Sequence, residues 1–163
     1  MEIKVFPNPI LLKETQLVDE NFLPELELIL PEMKSIVCRN SVLGLAAPQV
    51  GISKRFCLIK LSSGDILTLI NPVILEGSGV IIHKEGCLSF PGCFEQVKRK
   101  ETVIIEFDTG GTGICRMELS GIDAVVAQHE IDHLDGVVFT QRMSTIRSSR
   151  VFKALKQEKR RSY

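Results

Sequence analysis

The sequence predicts an α+β fold: mixed, mostly antiparallel short strands packed around a central helix, with an N-terminal helix before them and a C-terminal helix after. Two patterns and a length carry that expectation. Strand-like apolar runs cluster in the middle of the chain, separated by turns rich in Gly, Ser, Asp and Thr. Helical character lies to either side, once before those runs and twice after them. A length of 163 residues is ample for one compact domain and short for two. We therefore expect a single domain over 1–163, with 142–163 as a basic helical extension.

Taken in order, the opening segment to Lys13 reads as extended, broken by Pro7 and Pro9. Leu23 to Asn40 is helical in character. Pro24 and Pro31 both suit a first turn better than a helix interior, so the spacing predicts a short helix followed by a second from near Pro31, or one kinked helix. Asn40-Ser41 ends it. Arg55 to Leu61 and Ile66 to Asn71 read as strands around the hairpin-type turn Ser62-Ser63-Gly64-Asp65. Val80 to His83, Val97 to Phe107 and Ile114 to Leu119 are further strands, the last two separated by Thr109-Gly110-Gly111-Thr112-Gly113. Gly121 precedes the central helix and Gly136 stops it. Ile146 to Lys159 predicts a final helix with a narrow apolar face of Val151, Phe152 and Leu155.

Bulk properties narrow the classes. With 44% hydrophobic and 25% charged residues, the composition is that of a globular protein. No apolar run approaches the roughly 20 residues that cross a bilayer, so no membrane partner is expected. The N-terminus Met1-Glu2-Ile3-Lys4-Val5-Phe6 is neither a secretory signal nor an Arg-rich transit peptide, which points to the cytoplasm, or to an organellar matrix if a transit peptide has been removed. Five cysteines, an odd number without framework spacing, fit a reducing compartment. The net charge of zero is unevenly spread: from Arg142 onward eight basic residues face one acid, Glu158. Such a tail suits an anionic partner, or is simply a solvated helix end.

The richest stretch is His129-Glu130-Ile131-Asp132-His133, which reads HExxH inside the apolar run Ile122 to Val138. Positions i and i+4 share one helix face, so both imidazoles can reach one metal ion, with Glu130 close enough to handle a proton of the attacking water. Two of the chain's three histidines are spent here, which packing alone explains poorly. Two histidines hold a metal weakly, and catalytic sites of this kind take a third protein ligand. Downstream, Asp135 is too close on the helix and Glu158 sits in the basic tail. Upstream, Cys87 in Glu85-Gly86-Cys87-Leu88-Ser89, a turn-like stretch, offers a thiol that loses its proton on coordination. Cys93 and His83 compete with it on spacing alone, and a buried apolar thiol is the plain alternative.

Three motifs in order make the chain resemble the peptide deformylase family, whose patterns are GxGLAAxQ, EGCLS and QHExxHLxG. The second stands unchanged at Glu85–Ser89, and the third at Gln128–Gly136. The first reads Val42-Leu43-Gly44-Leu45-Ala46-Ala47-Pro48-Gln49, with Val42 where the family has glycine. Glycine there marks a close approach or a positive φ, which valine tolerates badly, so either the local backbone differs or the cleft rim is crowded.

The resemblance implies that Cys87, His129 and His133 hold one divalent ion, ferrous iron in the cell, with zinc or nickel as alternatives. It implies Glu130 as general acid/base, and Gln49 with the backbone N–H of Leu88 as oxyanion donors. The implied substrate is the N-formyl group on the initiator methionine of a nascent polypeptide, released as formate. Leu43 and Gly44 on one side, and Ile122, Val125 and Val126 on the other, are candidates for the methionine pocket; the same residues would serve a buried core. The resemblance also suggests ribosome contact through the basic tail. An HExxH endopeptidase and a ribosome-docking protein with little catalysis are the competing readings.

Overall fold

The structure is a computed structural model, and it describes residues 1–111, 113–144, 146–149 and 151–152. A five-stranded sheet, in the order β1-β2-β3-β6-β7, is antiparallel at every pairing. Its strands are β1 (Gly44–Ala46), β2 (Phe56–Lys60), β3 (Ile66–Ser78), β6 (Thr102–Asp108) and β7 (Ile114–Ser120). A separate hairpin pairs β4 (Ile81–Cys87) with β5 (Phe90–Arg99).

Strand β2 shows how the layers form. Successive side chains point to opposite faces of a strand. Cys57 and Ile59 pack in the cluster that holds Ala124, Ala127, Ile131 and Leu134, whereas Phe56 and Leu58 pack with Leu26, Met33, Ile36 and Val37. Helix α2 (Gly121–Leu134) therefore covers one face of the sheet and α1 (Leu23–Arg39) the other. A strand buried on both faces has to be apolar throughout, as β2 is up to Lys60.

Helix α1 is one helix, not two. Pro24 sits in its first turn, and Pro31 lies inside it. Pro31 and Glu27, whose carbonyl loses its N–H partner, are both exposed, so water can satisfy the lost bond. Asn40 ends the helix by donating from Nδ2 to the Ile36 carbonyl at 2.9 Å. Helix α2 is buried all round from Ala124 to Leu134, as a central helix should be. Gly136 stops it at φ +69°, and a Cβ there would meet the Leu12 and Lys13 backbone.

The strand expectations need four corrections. The opening segment is not simply extended: Pro9–Leu12 forms a 3-10 turn, started by Asn8, whose side chain accepts from the Ile10 N–H. Strand β3 runs through Asn71-Pro72 to Ser78, because Asn71 adopts φ +50° at a register shift and its side chain holds both backbone groups of Val18. The turn-like Glu85–Ser89 begins as strand, since β4 extends to Cys87 and only Leu88-Ser89 turn the corner. The run Val97 to Phe107 is two strands on different sheets, broken at Lys100-Glu101. Gln128 of α2 caps that break, accepting from the Lys100 N–H and donating to its carbonyl.

The last helix is helical at 146–149 and 151–152; the remainder of Ile146 to Lys159 lies outside the described residues. Among the described residues, no helix is long and apolar enough to cross a membrane.

Candidate metal centre and its pocket

Four elements converge where α2 meets the hairpin. Helix α2 brings His129 and His133, one turn apart, with ring centroids separated by 5.1 Å. The end of β4 brings Cys87, whose Sγ lies 3.3 Å from His133 Nε2. Among the described residues, Cys87, His129 and His133 form a cluster whose candidate ligand atoms all lie within 4.8 Å of one another. Cys93 and His83, the competing upstream candidates, line the neighbouring pocket and are not members of that cluster. Downstream, Asp135 is committed to Arg55 at 2.6 Å, and Glu158 lies outside the described residues.

The surroundings favour a cation. Glu85 accepts from His129 Nδ1 at 2.7 Å, which turns Nε2 of that ring towards the cluster. Burial alone would raise the Glu85 pKa, but hydrogen bonds from Arg99 and His129 outweigh it and hold the carboxyl at about 2. Burial also disfavours charge on His129, yet Cys87 and Glu85 hold its pKa well above the ordinary value. Beside that charge, burial and His129 together drive His133 well below its ordinary value. The carboxylate and thiol around His129 thus favour positive charge at the cluster.

Gln49 is fully buried at the end of the 3-10 turn Ala47–Val50. Its Oε1 accepts from the Ala46 N–H at 2.8 Å, which fixes the amide's polarity. Nε2 is left facing Cys87 Sγ at 3.3 Å and Ser89 Oγ at 3.4 Å. The same side chain therefore caps its own turn and presents a donor beside the thiol. The N-terminal segment ties these loops together, Lys4 N–H bonding to the Gln49 carbonyl and Phe6 N–H to the Ser89 carbonyl.

Glu130 projects from α2 on the side of β1. It is 4% exposed, and its Oε2 has no hydrogen-bond partner among the described residues. Burial raises its pKa to about 7, against the partial relief of the His129 charge. Gly44 makes room for it: a Cβ there would lie 2.3 Å from Glu130 Oε1. The φ of Gly44 is not positive, so alanine would be strained by contact alone. We expect Gly44→Ala to lower turnover about 10²-fold, the scale of a misplacement near 1 Å, with a much smaller change in melting temperature. Turnover measured beside thermal unfolding checks this.

A pocket of about 570 Å³ opens onto these groups. Leu43, Gly44, Gln49, Leu88, Ile122, Val125, Val126, His129 and Glu130 all line it. Val42 lines it too, and does not need a positive φ, because Ser41 takes that conformation at +52°. The Val42 side chain packs on the α1-facing core.

The chain matches the polypeptide deformylase family model over residues 1–149. It belongs to the peptide deformylase family. A peptide deformylase of Thermodesulfovibrio yellowstonii is 36% identical over 164 residues, covering 98% of each chain. The solved deformylase of Legionella pneumophila superposes with a TM-score of 0.89 at 29% identity, covering 99% of this chain and 96% of that one. A deformylase of Acinetobacter baumannii, solved with Met-Ala-Ser bound, gives a TM-score of 0.82 at 30% identity, covering 88% and 98%. Membership makes the chain an enzyme, a hydrolase of protein biosynthesis that deformylates nascent peptides, in a metal-dependent family.

Sequence reasoning missed three members of this site. Glu85 was visible within its motif but given no role, although it orients His129. Asp132 carries a charge on a helix buried all round, which is a signal that a partner must exist. That partner, Arg99, lies 33 residues away and nothing local marks it.

Proposed function

We propose that the whole chain is one catalytic domain that removes the N-formyl group from the initiator methionine of nascent polypeptides and releases formate. The observation that carries this reading is a cluster of one sulfur and two imidazoles beside a pocket that Glu130, with a buried oxygen lacking a partner among the described residues, and the amide donor Gln49 also line. A thiol and two imidazoles fit a divalent ion that keeps one position open. Cys87, His129 and His133 would hold it, and when bound it supplies Lewis acidity to the formyl carbonyl and lowers the pKa of water towards about 7. Ferrous iron is our choice for the cell, with zinc or nickel able to occupy the same donors.

The protein's own groups do the rest. Glu130, buried and with its pKa raised to about 7, takes a proton from the attacking water. Oxygen adds to the formyl carbon, the carbonyl oxygen gains charge, and Gln49 Nε2 donates to it with the Leu88 N–H. The carbon–nitrogen bond then breaks, and Glu130 delivers its proton to the departing amine. Leu43, Gly44, Ile122 and Val125 would receive the methionine side chain, with Val42 narrowing the rim. The bound Met-Ala-Ser of the Acinetobacter relative has the form of a deformylated product, which suits this assignment. Among the described residues β1 is a sheet edge, paired only to β2, so an extended peptide can lie along it. The remaining parts of the reading are a cytoplasmic location and ribosome contact through the basic extension 142–163.

We expect formate from a formyl-Met peptide and no cleavage of its acetyl-Met or uncapped equivalents, because a formyl carbon carries only hydrogen and can approach closely. Chromatography of all three digests checks this. Equal cleavage of internal bonds in the three would instead make the chain an endopeptidase.

A further inference from the structure

Four residues that follow α2, Phe139–Arg142, form a 3-10 turn that reaches His129 by two routes. At its start the buried Phe139 ring lies 6.0 Å from the His129 ring, centroid to centroid, and stands edge-on to Phe90 at 5.2 Å. At its end Arg142 forks onto Asp132, with Nη2 to Oδ1 at 2.5 Å and Nε to Oδ2 at 3.0 Å. Asp132 Oδ2 also accepts from Arg99 Nη1 at 2.5 Å. Arg99 gives Nε and Nη2 to the two oxygens of Glu85 at 2.7 and 2.9 Å. Glu85 Oε2 then meets His129 Nδ1 at 2.7 Å. An unbroken chain of hydrogen bonds runs from a half-exposed guanidinium to a candidate ligand.

We propose that Arg142 is a positioning residue for His129, acting through Asp132, Arg99 and Glu85. This rests on reading His129 as a metal ligand. The physical argument is one of sharing. Arg99 serves two buried carboxylates at once, with side-chain exposures of 4% for Glu85 and 8% for Asp132. With Arg142 present, two guanidinium groups balance two carboxylates. Without it, one buried guanidinium faces both acids, and Asp132 competes with Glu85 for Arg99. The clamp on Glu85 loosens, and with it the tautomer and aim of His129.

Two effects of opposite sign follow from losing Arg142. Removing a positive charge near a cation site strengthens cation binding; loosening the groups that orient a ligand weakens it. Arg142 is 48% exposed, so solvent screens its long-range charge, whereas loss of an orienting partner typically costs about 10- to 100-fold in metal affinity. Geometry should therefore win. Arg142→Lys separates the two, because lysine keeps the charge and loses the fork.

The experiment uses the full chain loaded with zinc and follows transfer of the ion to a chelator, beside thermal unfolding of the metal-free forms. Arg142→Ala and Arg142→Lys should each release zinc on the order of tenfold faster. In a Glu85→Gln background, adding Arg142→Ala should change release little further, because the path to His129 is already cut. Equal losses in both backgrounds would make Arg142 a general stabiliser and overturn the inference. Release unchanged in both single variants, or slowed by Arg142→Ala alone, would also overturn it. A wild-type chain that takes up no zinc would fail earlier, sinking the metal reading itself.

Discussion

Cys87→Ala is expected to abolish stable metal binding and, with it, turnover. The thiol supplies the one ligand in the cluster that carries full negative charge once coordinated, and its loss leaves two imidazoles one helical turn apart. Such a pair binds a divalent ion far less tightly than a closed set of three. Elemental analysis of anaerobically purified protein should find the metal content fall from near stoichiometric to a trace, with formate release at background. The fold should persist, because Cys87 is only half-buried at the end of β4 and replacing a thiol by a methyl group at such a place costs little. Retained metal in a Cys87→Ala protein would move the ligand role to Cys93, which lines the same pocket.

The candidate site was legible in sequence where its chemistry depends on local spacing. Histidines at i and i+4 meet on any helix, so His129, Glu130 and His133 stand out as candidates without knowing what the helix packs against. Cys87 could be narrowed but not chosen by spacing, since Cys93 and His83 lie within a few residues of it. The choice depends on which side chain the fold brings to the two imidazoles, and the groups that fix the site around them, such as the Arg99–Glu85 ion pair between the two strands of the hairpin, are far apart in sequence. Long-range pairs of this kind leave no periodic trace.

The fold shows the same division. Helices α1 and α2 and the hairpin turn at Gly64 were readable from local chemistry. Strand β3 was cut short at Asn71-Pro72, because those residues end strands when judged alone. In the folded chain the sheet continues past them through a register shift, and Asn71 is recruited to hold Val18. The break between β5 and β6 erred the other way. Lys100-Glu101 contains neither glycine nor proline, and Gln128 from α2 holds both backbone groups of Lys100 there, a tertiary contact that the charged run Lys98-Arg99-Lys100-Glu101 does not announce.

Glu130→Gln is expected to separate binding from catalysis. Glutamine keeps the size of the side chain, and Glu130 is not a member of the metal cluster, so metal content should remain near that of wild type. Turnover should fall about 10²–10⁴-fold, the usual worth of a positioned acid/base, because an amide can neither take the proton from water nor return it to the leaving nitrogen. The fall should appear in kcat, with KM little changed, since the pocket walls are untouched. Stability supplies an independent check with a definite sign. Burial lifts the Glu130 pKa from 4.5 to about 7 in the metal-free protein. An acid raised on folding binds its proton more tightly in the native state, so stability is highest below the unfolded pKa and declines as the pH rises through about 7. Glutamine carries no such penalty. Metal-free Glu130→Gln should therefore melt at a higher temperature than metal-free wild type at pH 8, with the gap closing near pH 4. A variant that loses metal or unfolds at every pH would place Glu130 in the structure of the site and remove it from the proton transfers; intact metal, a higher melting point at pH 8 and lost turnover together can come only from a carboxylate held in reserve for chemistry.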